Sequence, residues 1–147
     1  MFTLRAATLA DLPAILPRTR ALNDHEAIEI GDAALEAALR TLLADPKLGT
    51  VWLVEDAARP IGYAIVTLGY DLEFGGPDAY LTELWIDPDA RGRGAGTAAL
   101  RALDAELRAL DVRALHLQVR PENRAAVRLY ERTGFVRSER VLMTRRV

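Results

Sequence analysis

The stretch from Glu83 to Thr97 constrains this chain more than any other. It reads Glu83-Leu84-Trp85-Ile86-Asp87-Pro88-Asp89-Ala90-Arg91-Gly92-Arg93-Gly94-Ala95-Gly96-Thr97. An apolar strand runs out, a short loop carries two arginines and three glycines, and Leu100, Leu103, Leu107 and Leu110 then recur at helical spacing. The glycines permit positive φ and close approach of backbone to a ligand. The first turn of the helix offers unpaired N–H groups at the positive end of its dipole. Such a strand–loop–helix unit suits a phosphate or diphosphate. Arg91 and Arg93 add positive charge, and the Thr97 hydroxyl is a further donor. The competing reading is a glycine-rich turn with solvated arginines. It leaves unexplained three alternate glycines at a helix start, each costing about 1 kcal/mol in a helix.

Two other phosphate motifs fail on residue type. A Walker loop needs Gly-Lys-Ser/Thr, which the chain lacks. The dinucleotide fingerprint is formally met by Gly94, Gly96 and Ala99, yet a long arginine-bearing loop precedes it. No ribose-binding acid follows within Ala114–Val119, the next acid being Glu122.

Composition excludes further chemistries. The 147 residues contain no cysteine, so a thiolate nucleophile, disulfides and Cys-ligated metals are out. His25 and His116 lie far apart and form no HExxH pattern, so no metal site is expected. With 21 acidic and 19 basic residues the net charge is −2, which disfavours nucleic acid as a partner. Arg5 and Asp11 interrupt any leader-like apolar run at the start, and no stretch approaches the ~20 apolar residues of a membrane span. A cytoplasmic location with no membrane partner is the expectation.

The remaining elements follow from periodicity. Phe2–Ala7 alternates as a strand. Thr8 and Asp11 open a helix that Pro13 and Pro17 should keep short or irregular. Ala21–Gly31 is acidic and without clear period. Asp32 opens a second helix with Leu35, Leu39, Leu42 and Leu43 on one face, ended by Asp45-Pro46. Thr50–Glu55, Ile61–Gly69 and Tyr80–Ile86 read as strands, with a glycine-rich loop over Asp71–Asp78. Ala114–Val119 is a strand, and a last helix from Pro121-Glu122-Asn123 reaches Arg132, with Gly134 just past its end. Phe135–Arg137 and Val141–Arg145 read as closing strands. The pattern predicts one α/β (α+β) domain over residues 1–147 around a mixed sheet of about seven strands, flanked by about four helices.

Three segments together carry a family resemblance. Arg91-Gly92-Arg93-Gly94-Ala95-Gly96 resembles the Q/R-x-x-G-x-G/A signature of the GCN5-related N-acetyltransferases (GNAT). Glu83-Leu84-Trp85-Ile86-Asp87-Pro88 is similar to that family's fourth strand. Pro121-Glu122-Asn123 and Tyr130-Glu131-Arg132-Thr133-Gly134-Phe135 resemble its "N…A…LYE..GF" segment. The resemblance implies the GNAT fold, a mostly antiparallel sheet splayed between strands 4 and 5. It also implies acetyl-CoA as co-substrate without a metal. The activity implied is acetyl transfer to a primary amine by direct attack in a ternary complex.

Residue roles follow from the same resemblance. The backbone amides of Gly92, Arg93, Gly94, Ala95, Gly96 and Thr97 would cradle the CoA diphosphate, with Arg91 beside them. The backbones of Leu84, Trp85 and Ile86 would pair with pantetheine and offer an oxyanion donor. Asn123 is an N-cap by position and touches the CoA arm in the family; the two roles are compatible. Tyr130 matches the general acid that protonates the thiolate, its alternative being a core aromatic. A lysine-like amine must lose a proton to attack, which costs about 4.6 kcal/mol at pH 7. Glu83 is the candidate base, its alternative being a solvated or ion-paired strand acid.

The acceptor side is expected from the first two helices and the middle hairpin. Asp24, Glu26, Glu29, Asp71, Glu73 and Asp78 there would favour a small cationic amine, with Tyr70, Phe74 and Tyr80 lining or packing. The alternatives are a protein or peptide acceptor, or an acyl-CoA-binding sensor without catalysis. Homodimers are common in the family, and strands near the C-terminus could pair across such an interface.

Overall fold

A computed structural model describes residues 1–147. Five strands, β1 (Phe2–Ala6), β2 (Gly49–Asp56), β3 (Arg59–Asp71), β4 (Gly76–Ile86) and β5 (Ala114–His116), form one sheet in the order β1-β2-β3-β4-β5. The first four pair antiparallel, and β5 joins β4 in parallel. Four helices accompany them: α1 (Leu12–Glu26), α2 (Asp32–Ala44), α3 (Ala95–Ala109) and α4 (Arg124–Arg132).

Strand alternation sends alternate residues to two cores. Val51, Leu53, Tyr63 and Ile65 pack with Leu12, Ile15 and Leu22 of α1 and Leu39 of α2. Ala64, Val66, Ala79 and Leu81 pack with Leu100, Leu103 and Leu107 of α3. Both faces of β3 are therefore covered, and its centre is a continuous buried run.

Three expectations are corrected. The sheet has five strands, not about seven: Phe135–Arg137 and Val141–Arg145 carry no strand. Their alternation is a local property, whereas a strand needs a ladder partner, and this segment pairs with no sheet edge. Val136, Val141 and Met143 lie exposed instead, and Arg137 and Arg140 are tied to Glu131 and Glu73. Secondly, α1 runs unbroken for 15 residues despite two prolines. Pro13 sits in the first turn, where its missing N–H costs nothing. Pro17 lies inside the helix, which the buried side of Leu12, Ile15, Thr19 and Leu22 holds in place. Thirdly, β5 stops at His116, short of the expected Val119.

That early stop positions the site. Only Asp78, Ala79 and Tyr80 of β4 pair with Ala114, Leu115 and His116. Beyond them the strands part, and Leu81–Ile86 has no partner on that side.

Candidate active site

The parted strands open a cleft of about 960 Å³. One wall is Leu81–Ile86 of β4; the other is Gln118–Pro121 after β5 together with α4. Its end is the loop from Arg91 to the first turn of α3. Gly92 and Gly94 there have φ of +74° and +87°, left-handed values that favour glycine. Gly94 is the N-cap of α3, and the first backbone bond of the helix is Ala98 N–H to the Gly94 carbonyl at 3.0 Å. The preceding N–H groups of Ala95, Gly96 and Thr97 are thus without intrahelical acceptors. At Gly96 a Cβ would sit 3.0 Å from Leu129 Cδ2, so the missing side chain lets α4 come close to α3.

The two arginines of the loop part company. Arg91 lines the cleft, with its Nε donating to the Ile86 carbonyl at 2.8 Å and its guanidinium 4.7 Å over the Trp85 ring. Arg93 turns its side chain away. Its guanidinium donates to Asp56 at 2.9 Å and lies over Phe2, so it adds charge to the β2–β3 corner and only its backbone belongs to the loop.

Asn123 caps α4, its side-chain oxygen accepting from Ala126 N–H at 3.2 Å, and it also lines the cleft. Gly134, at φ +100°, follows the end of α4 as expected. Tyr130 lies two turns along the helix, edge-on to Phe135 at 5.6 Å between ring centres. Burial and, secondarily, the nearby Glu26 charge raise its hydroxyl above the usual tyrosine range, so it stays protonated at neutral pH.

Glu83 reaches the same cleft from β4 through an irregularity of the strand. Glu83 pairs with Ile65 but Leu81 pairs with Val66, which leaves Thr82 as a bulge. Simple alternation from Ala79 and Leu81 would send Glu83 into the α3 core. The bulge reverses it, and Glu83 lies on the α1 side with Ile65 and Tyr63. Burial raises its carboxyl above the ordinary glutamate range, opposed by a hydrogen bond from the Tyr63 hydroxyl at 2.9 Å.

A family model described as "Acetyltransferase (GNAT) family" matches residues 16–135. The chain belongs to the GNAT acetyltransferase family. A mycothiol acetyltransferase of Actinosynnema mirum is 31% identical over 146 residues, covering 88% of this chain and 49% of that protein. The [ribosomal protein bS18]-alanine N-acetyltransferase of Escherichia coli K12 is 43% identical over 58 residues, covering 40% of this chain and 39% of its own. The chain thus spans about half the length, or less, of these curated relatives. Among solved structures, an integron cassette protein from the Cole Harbour Salt Marsh metagenome superposes with a TM-score of 0.86 at 29% identity, covering 98% of this chain and 90% of the other. An aminoglycoside N-acetyltransferase AAC(6')-Iy in complex with CoA has a TM-score of 0.83 at 19% identity, covering 99% and 95%, a likeness of fold.

Against this GNAT frame, the expected coenzyme residues Leu84, Trp85, Ile86, Arg91, Gly92, Gly94, Ala95, Gly96, Thr97 and Asn123 converge on one cleft, together with Tyr130 and Glu83. The expected acidic acceptor mouth does not assemble. Of its six acids only Glu26 lines the cleft, held by Arg120 at 2.8 Å. Asp71 and Glu73 lie at the β3–β4 turn, at the other end of β4, where Glu73 pairs with Arg140. Asp78 is occupied by His116 at 3.1 Å. Tyr70 is exposed at that turn, and Tyr80 packs on His116. Sequence reasoning missed Tyr63, a buried aromatic in a strand with nothing local to mark it. It also missed His25 and Arg120, which only the approach of α1 to the far wall brings in.

The cleft fits a diphosphate followed by an extended arm. Free amides at a helix start suit the anion, and an unpaired strand segment offers backbone groups to a chain lying alongside. No group of side chains is arranged to hold a metal ion. No helix is long and apolar enough to cross a membrane.

Proposed function

We propose that this chain transfers an acetyl group from acetyl-CoA to a primary amine by direct attack in a ternary complex. One observation carries the reading: the free N–H groups opening α3, the unpaired half of β4, Glu83 and Tyr130 all line one cleft. The amides of Gly92–Thr97 would hold the coenzyme diphosphate, and the backbone of Leu84–Ile86 its pantetheine arm. Acetyl-CoA supplies the acyl thioester.

Glu83 takes the proton that the acceptor ammonium must lose. A carboxyl raised by burial is a stronger base than an exposed one, which suits it to this task near neutral pH. The amine nitrogen then bonds to the acyl carbon as the carbon–sulfur bond breaks. Tyr130, held protonated, delivers its proton to the departing sulfur, and the second proton leaving the acylated nitrogen restores the tyrosine hydroxyl. A backbone N–H of β4 stabilises the charge developing on the acyl oxygen. Glu26 is tied to Arg120, so Glu83 is the cleft carboxylate without an arginine partner and the one that would meet the acceptor's ammonium. The chain contains no cysteine, in keeping with transfer that bypasses an acyl-enzyme.

The test is release of free thiol from acetyl-CoA against a panel of polyamines, aminoglycosides, basic amino compounds and an alanyl peptide. Turnover with a small amine supports the reading. Turnover with the peptide alone moves the acceptor to a protein N-terminus, and CoA binding without turnover leaves a sensor. Mass spectrometry of the protein mixed with acetyl-CoA alone should show no stoichiometric acetyl adduct; finding one refutes direct attack.

A further inference from the structure

Tyr63 is fully buried, and its ring belongs to the core between the sheet and helices α1 and α2, among Ile15, Leu53 and Ile65. Its hydroxyl is the polar exception in that apolar cluster, and it donates to Glu83 Oε1 at 2.9 Å. Burying a hydroxyl unpaired costs free energy, so the bond is fixed from the Tyr63 side by packing. From the Glu83 side it is fixed by the Thr82 bulge. Tyr63 pairs across the ladder with Trp85, and Glu83 with Ile65, so the two side chains are diagonal neighbours on one face.

We propose that Tyr63 is a positioning residue for proton acceptance: its hydroxyl holds Glu83 Oε1 and leaves Oε2 to receive the acceptor's proton. This rests on the reading of Glu83 as the base. A rigid donor on one oxygen orients the other toward the cleft. It also favours the ionised form, against the burial that raises the carboxyl. Other titratable and charged groups around the cleft come from every wall: His25 and Glu26 from α1, Arg91 from the loop, Arg120 after β5, and Tyr130, Arg128 and Arg132 from α4. Only Tyr63 hydrogen-bonds to Glu83, so the carboxyl's titration should answer to that hydroxyl.

The experiment compares the parent with Tyr63→Phe, Glu83→Gln and the double variant. Tyr63→Phe keeps the ring, and thermal unfolding checks that the fold is retained. The readouts are kcat, the KM for acetyl-CoA, and the Glu83 carboxyl titration followed by carbon NMR and assigned with Glu83→Gln. Tyr63→Phe should lower kcat about tenfold, the scale of one hydrogen bond to a charged group. It should leave the KM for acetyl-CoA unchanged and move the Glu83 titration to higher pH. Added to Glu83→Gln it should cost little more. If Glu83→Gln abolishes turnover while Tyr63→Phe changes neither kcat nor the titration, the positioning role is overturned and the base survives. If Glu83→Gln retains full kcat, the base reading itself fails and takes the positioning role with it.

Discussion

Arg18 and Asp87 join α1 to the loop between β4 and α3. The Arg18 guanidinium, on α1, donates Nε to Asp87 Oδ1 at 3.0 Å and Nη2 to Oδ2 at 2.6 Å. It also donates to the carbonyls of Ala14 and Pro60. Asp87, directly after β4, accepts from Trp85 Nε1 as well, at 3.2 Å. One half-buried pair therefore fixes α1, the β2–β3 corner and the start of the signature loop together. The planar fork makes these bonds at once, which a lysine cannot do. Arg18→Ala should lower stability by about 1–3 kcal/mol, since it leaves Asp87 short of partners. Arg18→Lys should fall between variant and parent. Urea unfolding measures both, and an unchanged midpoint for Arg18→Ala would remove the pair from the stability argument.

Gly94→Ala isolates the backbone requirement of the loop. Nothing in the chain lies within 4 Å of the added Cβ, so the cost to the free protein is the left-handed conformation, about 1–2 kcal/mol. CoA affinity should fall by at least about tenfold, or 1.4 kcal/mol, because the loop backbone must approach the diphosphate. Gly75→Ala is the control. It bears the same strain, at φ +73° in open space, on the turn away from the cleft, and should lose stability without losing CoA. Calorimetry showing equal CoA affinity for both variants would detach the loop from the ligand.

Tyr130→Phe removes one oxygen from the cleft. Turnover should drop by about 10²–10⁴-fold, the range of a general acid. The CoA dissociation constant should stay within experimental error. An unaltered rate assigns the ring to packing against Phe135 alone.

The pH dependence of stability should carry the mark of Glu83. Its folded carboxyl ionises above the ordinary glutamate value, chiefly through burial. The folded state thus binds the proton more tightly than the unfolded chain. The stability this gives is fully present below the unfolded value and lost as pH rises through the folded one. Glu83→Gln escapes that loss. Its unfolding midpoint relative to the parent should rise between mildly acidic and neutral pH, while activity falls. Asp11 behaves oppositely: hydrogen bonds from Arg5 hold it below its usual range, so its contribution is present at neutral pH and disappears on acidification. A midpoint difference for Glu83→Gln that is flat with pH would show an ordinary carboxyl.

The sequence by itself determined whatever depends on neighbours along the chain. The glycines at 92 and 94 announce left-handed backbone, Asn123 announces a helix cap, and the leucines of α3 announce its buried face. Each is a short-range rule, written within one or two turns. The tertiary structure decided what depends on partners far away. Alternation along β4 points Glu83 at α3, and only the register against β3 reveals the bulge that turns it to Tyr63. Arg93 reads as a phosphate ligand until Asp56, 37 residues away, draws its side chain off. The alternating tail after Phe135 reads as two strands, yet strand formation needs a second set of backbone donors and acceptors, and none meets it. Many of the residues that line the cleft were therefore legible in the sequence, while their orientation was set by pairings that no local pattern encodes.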